Sequence, residues 1–156
     1  MKKIFLYSLL WVCLDQGVKK IITIYIGLGG SVTLIPSFLN ITHVRNTGAA
    51  WSVLEGSRVF LILVSIIAIG LVYYFMIKDK KIDKIEEIGY GILLGGILGN
   101  LFDRIIFGYV IDFLHFTFGN YQFPVFNIAD IGIVIGTFII IVIMLKEDFH
   151  ENRGRR

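Results

Sequence analysis

The chain has 156 residues and is poor in charge, cysteine and proline. Charged residues make up 17% of it, whereas a soluble domain has about a quarter. The single cysteine, Cys13, excludes an intrachain disulfide and a cysteine metal cluster. The chain also lacks an H-E-x-x-H zinc motif, a G-x-S-x-G nucleophile elbow and a Walker loop. The sequence therefore argues against zinc-protease, serine-hydrolase and P-loop chemistry, and we expect neither a metal nor another cofactor.

Apolar residues are abundant instead, at 56% of the chain. A bilayer core of about 30 Å needs about 20 helical residues, and isolated strands cannot satisfy their backbone hydrogen bonds in lipid. The sequence therefore predicts an all-α membrane protein, with residues 1–156 as a single integral membrane domain. The four predicted transmembrane helices cover about 4–26, 59–77, 88–107 and 126–145.

Basic residues set the predicted direction of these spans. They cluster at the N-terminus, in the 78–87 loop and in the 146–156 tail, and such clusters mark the cytoplasmic face. Both termini are therefore expected in the cytoplasm, with the segments 27–57 and 108–125 outside. The net charge of +3 does not indicate a nucleic-acid partner, because each basic cluster adjoins a long apolar stretch.

The first outer segment differs in amino-acid composition from the predicted spans. Residues Ser31–Ile35 and Leu39–Val44 mix β-branched, apolar and polar side chains, which is typical of short strands. Asn46-Thr47-Gly48 is a turn signal, and Trp51 suits a membrane interface. We expect a small, partly β extracytoplasmic element after helix 1; an amphipathic loop lying on the membrane is the alternative.

Several charged side chains fall inside the predicted spans. Asp15 and Lys19 are four residues apart on one helix, so they can pair. Asn100, Asp103 and Arg104 share one face of the third span, and Asp103 and Arg104 are adjacent residues of opposite sign. Polar side chains of this kind often hydrogen-bond across membrane helices. A structural role is therefore expected for these charged residues.

Asp112 and Asp130 differ because no lysine or arginine lies within four positions of either one. At about 1.5 Å of rise per residue, both are expected at the outer leaflet, provided that the third span ends or bends at Gly108. Asn127, one turn before Asp130, is expected on the same helical face. A carboxylate at membrane depth indicates a function by default, and two that share a proton form the apparatus of an aspartic protease.

Five motifs occur in order along nearly the whole chain. They are Asp15-Gln16-x-x-Lys19, Asn46-Thr47-Gly48-Ala49-Ala50-Trp51, Gly96-x-x-Gly99-Asn100-x-x-Asp103-Arg104, Val110-Ile111-Asp112-Phe113 and Phe126-Asn127-Ile128-Ala129-Asp130. With these motifs the chain resembles the lipoprotein signal peptidases, or signal peptidase II, which are aspartic proteases of bacterial inner membranes. Each motif alone is weak, but their order and number make the resemblance specific.

The resemblance implies that Asp112 and Asp130 are the catalytic pair. The residues that it implies as lining or supporting the site are Asn46, Gly48, Asn100, Arg104, Asn127 and Ala129. It gives a more structural role to Asp15, Lys19 and Asp103. The implied substrates are prolipoprotein signal peptides next to a cysteine that carries a diacylglyceryl group. The implied location is the bacterial cytoplasmic membrane, with the active site facing outward. The implied partners also include membrane lipid and globomycin-like inhibitors.

Two other functions remain open at this point. Intramembrane carboxylates also relay protons, so the chain is alternatively a small proton-coupled carrier subunit. Against this, both unpaired aspartates lie near one surface and no acid is expected in the cytoplasmic half of the spans. The third possibility is a non-catalytic assembly protein whose polar residues only hold its helices together.

Overall fold

The computed structural model describes residues 1–48, 54–78 and 82–154. The turn after Asn46 is therefore described only to Gly48, and the expected interface residue Trp51 lies outside the described residues. The helices within the described residues are α1 (Lys2–Tyr25), α2 (Arg58–Lys78), α3 (Lys84–Ile106) and α4 (Ile128–Gly154). The strands are β1 (Ser31–Ile35), β2 (Leu39–Asn46), β3 (Val110–Phe118) and β4 (Tyr121–Gln122). The chain is thus mostly helical with a small antiparallel sheet.

Three described helices are long and apolar enough to cross a membrane: α2, α3 and the Ile128–Lys146 part of α4. Helix α1 has 24 residues, but Asp15, Lys19 and Lys20 interrupt its apolar sequence. The fourth span and the cytoplasmic location of both termini therefore stay predictions.

The sheet is larger than the sequence predicts. Its strands run in the order β1-β2-β3-β4, and β2 pairs with β3 in antiparallel register, with Val44 opposite Asp112 and Asn46 opposite Val110. The segment 108–125, in which no strand was predicted, supplies β3 and β4. Its Val110–Phe118 stretch is rich in β-branched and aromatic residues, which favour a pleated, half-buried surface.

Helix α3 is the central helix of the bundle and packs against α1, α2 and α4. Glycines permit close approaches to α3, at Gly95, Gly96 and Gly99 among others. A Cβ on Gly95 would lie 2.8 Å from the Ser8 carbonyl oxygen of α1, and one on Gly99 would lie 2.7 Å from Asp15 Oδ2. Side chains at these positions would therefore force α1 away from α3.

Local interactions explain where α3 begins and where it ends. At its start Asp83 and Glu86 form a capping box: the Asp83 carboxylate accepts the Glu86 backbone N–H at 2.8 Å, and the Glu86 carboxylate accepts that of Asp83 at 2.7 Å. At its end Gly108 has φ +84, a backbone conformation that favours glycine. The chain turns there and enters β3, so the expected bend at Gly108 is confirmed and Asp112 lies on a strand.

Candidate active site

Asp112 lies on β3, at the point where the sheet meets the helices. Its side chain is 3% exposed and is held by two amides from separate parts of the chain. Asn46 on β2 donates through Nδ2 to Asp112 Oδ2 at 2.8 Å, and Asn127 donates through Nδ2 to Asp112 Oδ1 at 2.7 Å. The carboxylate therefore accepts a hydrogen bond at each oxygen, which holds its plane in one orientation.

Asp130 lies in the first turn of α4 and takes part in the start of this helix. The Asp130 carboxylate accepts the Asn127 backbone N–H at 3.1 Å, while Asn127 Oδ1 accepts the Asp130 N–H at 2.9 Å. These reciprocal bonds form a capping box. The two residues are one turn apart as expected, but α4 begins at Ile128, so Asn127 is the residue before the helix and not part of it.

Two amide side chains link the two carboxylates. Asn127 Nδ2 donates to Asp112 Oδ1 and also, at 3.1 Å, to Asn100 Oδ1. Asn100 Nδ2 in turn donates to Asp130 Oδ1 at 2.7 Å. Asp112 and Asp130 are thus joined through Asn127 and Asn100, although β3, β4 and the turns around them separate the two aspartates along the chain.

The electrostatic setting of Asp112 favours a retained proton. Burial raises the pKa of the Asp112 carboxyl from its ordinary value of 3.8 to about 7, and the negative charge of Asp130 acts in the same direction. The hydrogen bonds from Asn46 and Asn127 oppose this rise by stabilising the carboxylate. A carboxyl group with a pKa near neutral can give or accept a proton at working pH.

Arg104 and Gly48 lie together at the C-terminal end of α3. Arg104 donates through Nη2 to the Gly48 carbonyl oxygen at 3.1 Å and through Nη1 to the Asn100 carbonyl oxygen at 3.4 Å. The Gly48 N–H donates to Asn46 Oδ1 at 2.9 Å, so Arg104 holds the turn whose asparagine contacts Asp112. No ion pair within the described residues joins Arg104 to Asp103, its neighbour of opposite sign.

Asp103 instead belongs to a buried charge cluster beneath the two aspartates. Lys19 Nζ lies 2.8 Å from Asp15 Oδ2 and 2.9 Å from Asp103 Oδ2, which confirms the expected Asp15–Lys19 pair and adds a partner from α3. The Ala129 backbone N–H donates to Asp15 Oδ1 at 2.9 Å, and the Ala129 side chain is fully buried. The cluster therefore holds the start of α4 against α1.

Two further side chains support this arrangement, and neither was predicted as a site residue. Gln16 donates to Asp103 Oδ1 at 2.9 Å, and Trp11 Nε1 donates to the Ile128 carbonyl oxygen at 3.1 Å. Gln16 belongs to the first motif, so a signal for it was present in the sequence; Trp11 belongs to no motif.

In the part of the chain that the structure describes, no group of three or more His, Cys, Asp or Glu side chains could hold a metal ion.

A sequence model of the family described as signal peptidase (SPase) II matches residues 7–146. The chain belongs to the signal peptidase II family. This membership supports a protease and agrees with the resemblance found from the motifs. The family match is made on the amino-acid sequence and does not use the hydrogen bonds around the two aspartates.

Relatives and solved structures agree with this membership. The lipoprotein signal peptidases of Staphylococcus aureus strains JH9 and Newman are each 42% identical to this chain over 136 residues, covering 87% of the chain and 83% of the relative. The fold is similar to that of a bacterial membrane enzyme solved by the in meso method at 2.3 Å resolution. That match has a TM-score of 0.86 and 38% identity, covering 95% of this chain and 90% of the other. A second such structure, at 1.9 Å resolution, has a TM-score of 0.83 and 39% identity over 94% of each chain.

Proposed function

We propose that this chain is a membrane aspartic endopeptidase that removes signal peptides from prolipoproteins. The proposed cut falls just before a cysteine that carries a diacylglyceryl group. Family membership and the relatives named lipoprotein signal peptidase support the substrate class. The observation that carries the catalytic assignment is the linkage of Asp112 and Asp130 through the Asn127 and Asn100 amides.

The proposed chemistry needs one proton shared by the two carboxyls. One carboxylate accepts a proton from water, and the water oxygen attacks the carbonyl carbon of the scissile peptide bond. The other carboxyl, protonated, donates to the carbonyl oxygen and later a proton passes to the leaving amine. The raised pKa of Asp112 near neutral supports this sharing. The proton belongs to the pair of aspartates and is assigned to neither one.

The hydrogen bonds around the pair suit this chemistry. Asn46 and Asn127 donate to Asp112, while Asn100 and the Asn127 backbone donate to Asp130. Donors to each oxygen keep both carboxyls in place without neutralising them, and they cost no reorganisation during the reaction. Each carboxyl oxygen has a further lone pair, to which the catalytic water of the proposed reaction can donate.

The proposed substrate also matches the location of the pair. Asp112 follows the end of α3 and Asp130 lies in the first turn of α4, so both lie at the end of the bundle that carries the sheet. By the predicted topology this end faces outward in the bacterial cytoplasmic membrane. A lipid-modified cysteine would hold the cleavage point at that surface. We further propose that the segments 27–57 and 108–125 cover the site and that globomycin-like cyclic peptides bind there.

Cleavage assays with single Asn variants test this function. Asp112→Asn and Asp130→Asn keep side-chain size but remove the acid, so each is expected to lower kcat by about 100-fold or more. The substrate is a diacylglyceryl-modified precursor, and the unmodified precursor serves as the specificity comparison. Glu87→Gln is the matched control, because Glu87 pairs with Lys3 at the opposite end of α3 at 3.5 Å.

The outcomes separate the proposed enzyme from its alternatives. Retained cleavage in either aspartate variant would contradict the catalytic pair, and equal cleavage of both precursors would contradict the substrate. A non-catalytic assembly role instead predicts that the double variant Asp112→Asn/Asp130→Asn fails to fold, which size-exclusion chromatography in detergent detects. A carrier predicts a folded wild-type protein that cleaves neither precursor.

A further inference from the structure

Lys19 is a fully used hydrogen-bond donor beneath the two aspartates. Its side chain is 1% exposed, and its ammonium group has three N–H donors. Nζ lies 2.8 Å from Asp15 Oδ2, 2.9 Å from Asp103 Oδ2 and 3.1 Å from Asn100 Oδ1. The three acceptors come from α1 and α3, so one cation joins the two helices below the site.

Each carboxylate that binds Lys19 also accepts a backbone N–H next to a proposed catalytic residue. Asp15 Oδ1 accepts the N–H of Ala129, the residue before Asp130, at 2.9 Å. Asp103 Oδ2 accepts the N–H of Ile111, the residue before Asp112, at 3.3 Å. The backbone next to each proposed catalytic aspartate is therefore hydrogen-bonded to a carboxylate, and both of these carboxylates bind the Lys19 ammonium group.

Lys19 also sets the orientation of the Asn100 amide. A carboxamide rotated by 180° exchanges its oxygen and its NH₂ group. Asn100 Oδ1 accepts from both Lys19 and Asn127, at 3.1 Å each, and this leaves Nδ2 to donate to Asp130 Oδ1. With the amide rotated, its NH₂ group would face the Lys19 ammonium, donor against donor, and Asp130 would lose the hydrogen bond from Asn100.

We propose that Lys19 is a positioning residue for the Asp112–Asp130 pair. Through Asp15 and Asp103 it fixes the backbone before each aspartate, and through Asn100 it fixes the amide that holds Asp130. This inference rests on the proposed function. The contacts of the Lys19 ammonium within the described residues are to Asp15, Asp103 and Asn100 and not to the two aspartates of the pair. Its positive charge also acts on the Asp112 carboxyl from a distance, and the proposed positioning acts through the three contacted neighbours.

The competing interpretation is that Lys19 only neutralises two buried carboxylates. The Lys19→Arg variant distinguishes the two, since it keeps the positive charge but has a planar fork of donors instead of a point charge. Neutralisation alone predicts wild-type kcat for folded Lys19→Arg protein. Positioning predicts that kcat falls by about 100-fold, as small displacements of catalytic groups do, while KM changes less than about threefold.

A second comparison covers the case in which the arginine is not accommodated. Lys19→Met/Asp15→Asn removes one cation and one anion together, so the net charge of the cluster is kept. The side-chain oxygen of the introduced asparagine can still accept the Ala129 N–H. The kcat of this double variant is compared with that of Asp15→Asn, which retains Lys19. We expect a further loss of about 100-fold at similar KM, measured per folded molecule after size-exclusion chromatography.

Equal kcat in the last two variants, or wild-type kcat in Lys19→Arg, would overturn the inference. Asp112→Asn in the same assay keeps this outcome apart from the proposed function. An inactive Asp112→Asn variant beside fully active Lys19 variants refutes only the positioning role. An active Asp112→Asn variant refutes the catalytic pair itself.

Discussion

The raised pKa of Asp112 predicts that this residue makes the protein less stable as pH rises. The folded state holds a proton on the Asp112–Asp130 pair, and the pKa of Asp112 is about 7 against an ordinary value of 3.8. Between these pH values the unfolded chain has lost the proton that the folded chain keeps. The free energy of unfolding therefore falls as pH rises through this window. The difference of about three pKa units corresponds to about 4 kcal/mol at most.

Replacing Asp112 by Asn removes the contribution of Asp112 to the pH dependence of the unfolding free energy. At every pH the variant loses about 1–3 kcal/mol of unfolding free energy. The reason is that its NH₂ group faces either Asn46 or Asn127, which both donate hydrogen bonds to the wild-type carboxylate. Relative to wild type, however, the variant gains stability from about pH 4.5 to about pH 8. At about 2–4 °C per kcal/mol for a chain of this size, the difference in Tm changes by about 8–16 °C.

The assay is thermal unfolding in detergent, followed by tryptophan fluorescence at several pH values for wild type, Asp112→Asn and Glu87→Gln. Glu87→Gln should follow the wild-type curve, because Glu87 pairs with the exposed Lys3 side chain, away from the site. The informative quantity is the change of the Tm difference with pH, not its value at one pH. Parallel curves for wild type and Asp112→Asn between about pH 4.5 and about pH 8 would refute the reasoning.

Other consequences of the structure can be tested separately. Gly95→Ala should destabilise the protein by about 1–3 kcal/mol, since its Cβ would lie 2.6 Å from Trp11 Cβ; Gly70→Ala, with nothing within 4 Å of the added Cβ, should be neutral or stabilising in the same thermal assay. Asp83→Ala should lower stability by about 1 kcal/mol by removing the α3 cap, with kcat unchanged. In a cysteine-free background, Asn120→Cys should react with a membrane-impermeant maleimide on intact cells and Lys84→Cys only after permeabilisation; the reverse pattern would contradict the predicted topology.

Local patterns in the sequence predicted much of the helical structure. The i, i+4 spacing of Asp15 and Lys19 predicted an ion pair, and the structure confirms it. Gly108 predicted the end of α3, because a glycine there permits the positive φ that turns the chain. These predictions succeed because each depends on residues that lie within a few positions of one another.

Features that join distant segments could not be predicted in the same way. The third partner of the buried charge cluster, Asp103, comes from α3, and spacing along α1 carries no information about which face of α3 it meets. Likewise, β3 has strand-like composition, but its partner β2 precedes two helices in the chain. The two amides that join Asp112 to Asp130 come from α3 and from the residue before α4, so their meeting also depends on contacts between distant segments.

The pairing of β2 with β3 has a consequence for biosynthesis. Strand β2 leaves the ribosome before α2 and α3, and its partner strand follows them. Chains are made from the N-terminus at about 5–20 residues per second, so β2 has only β1 as a partner for several seconds before β3 is made. Asn127 and Asp130 arrive later still, at the start of the last helix. Under the proposed function, a partly inserted chain therefore has no proteolytic activity, and the enzyme becomes competent only when its final helix is in place.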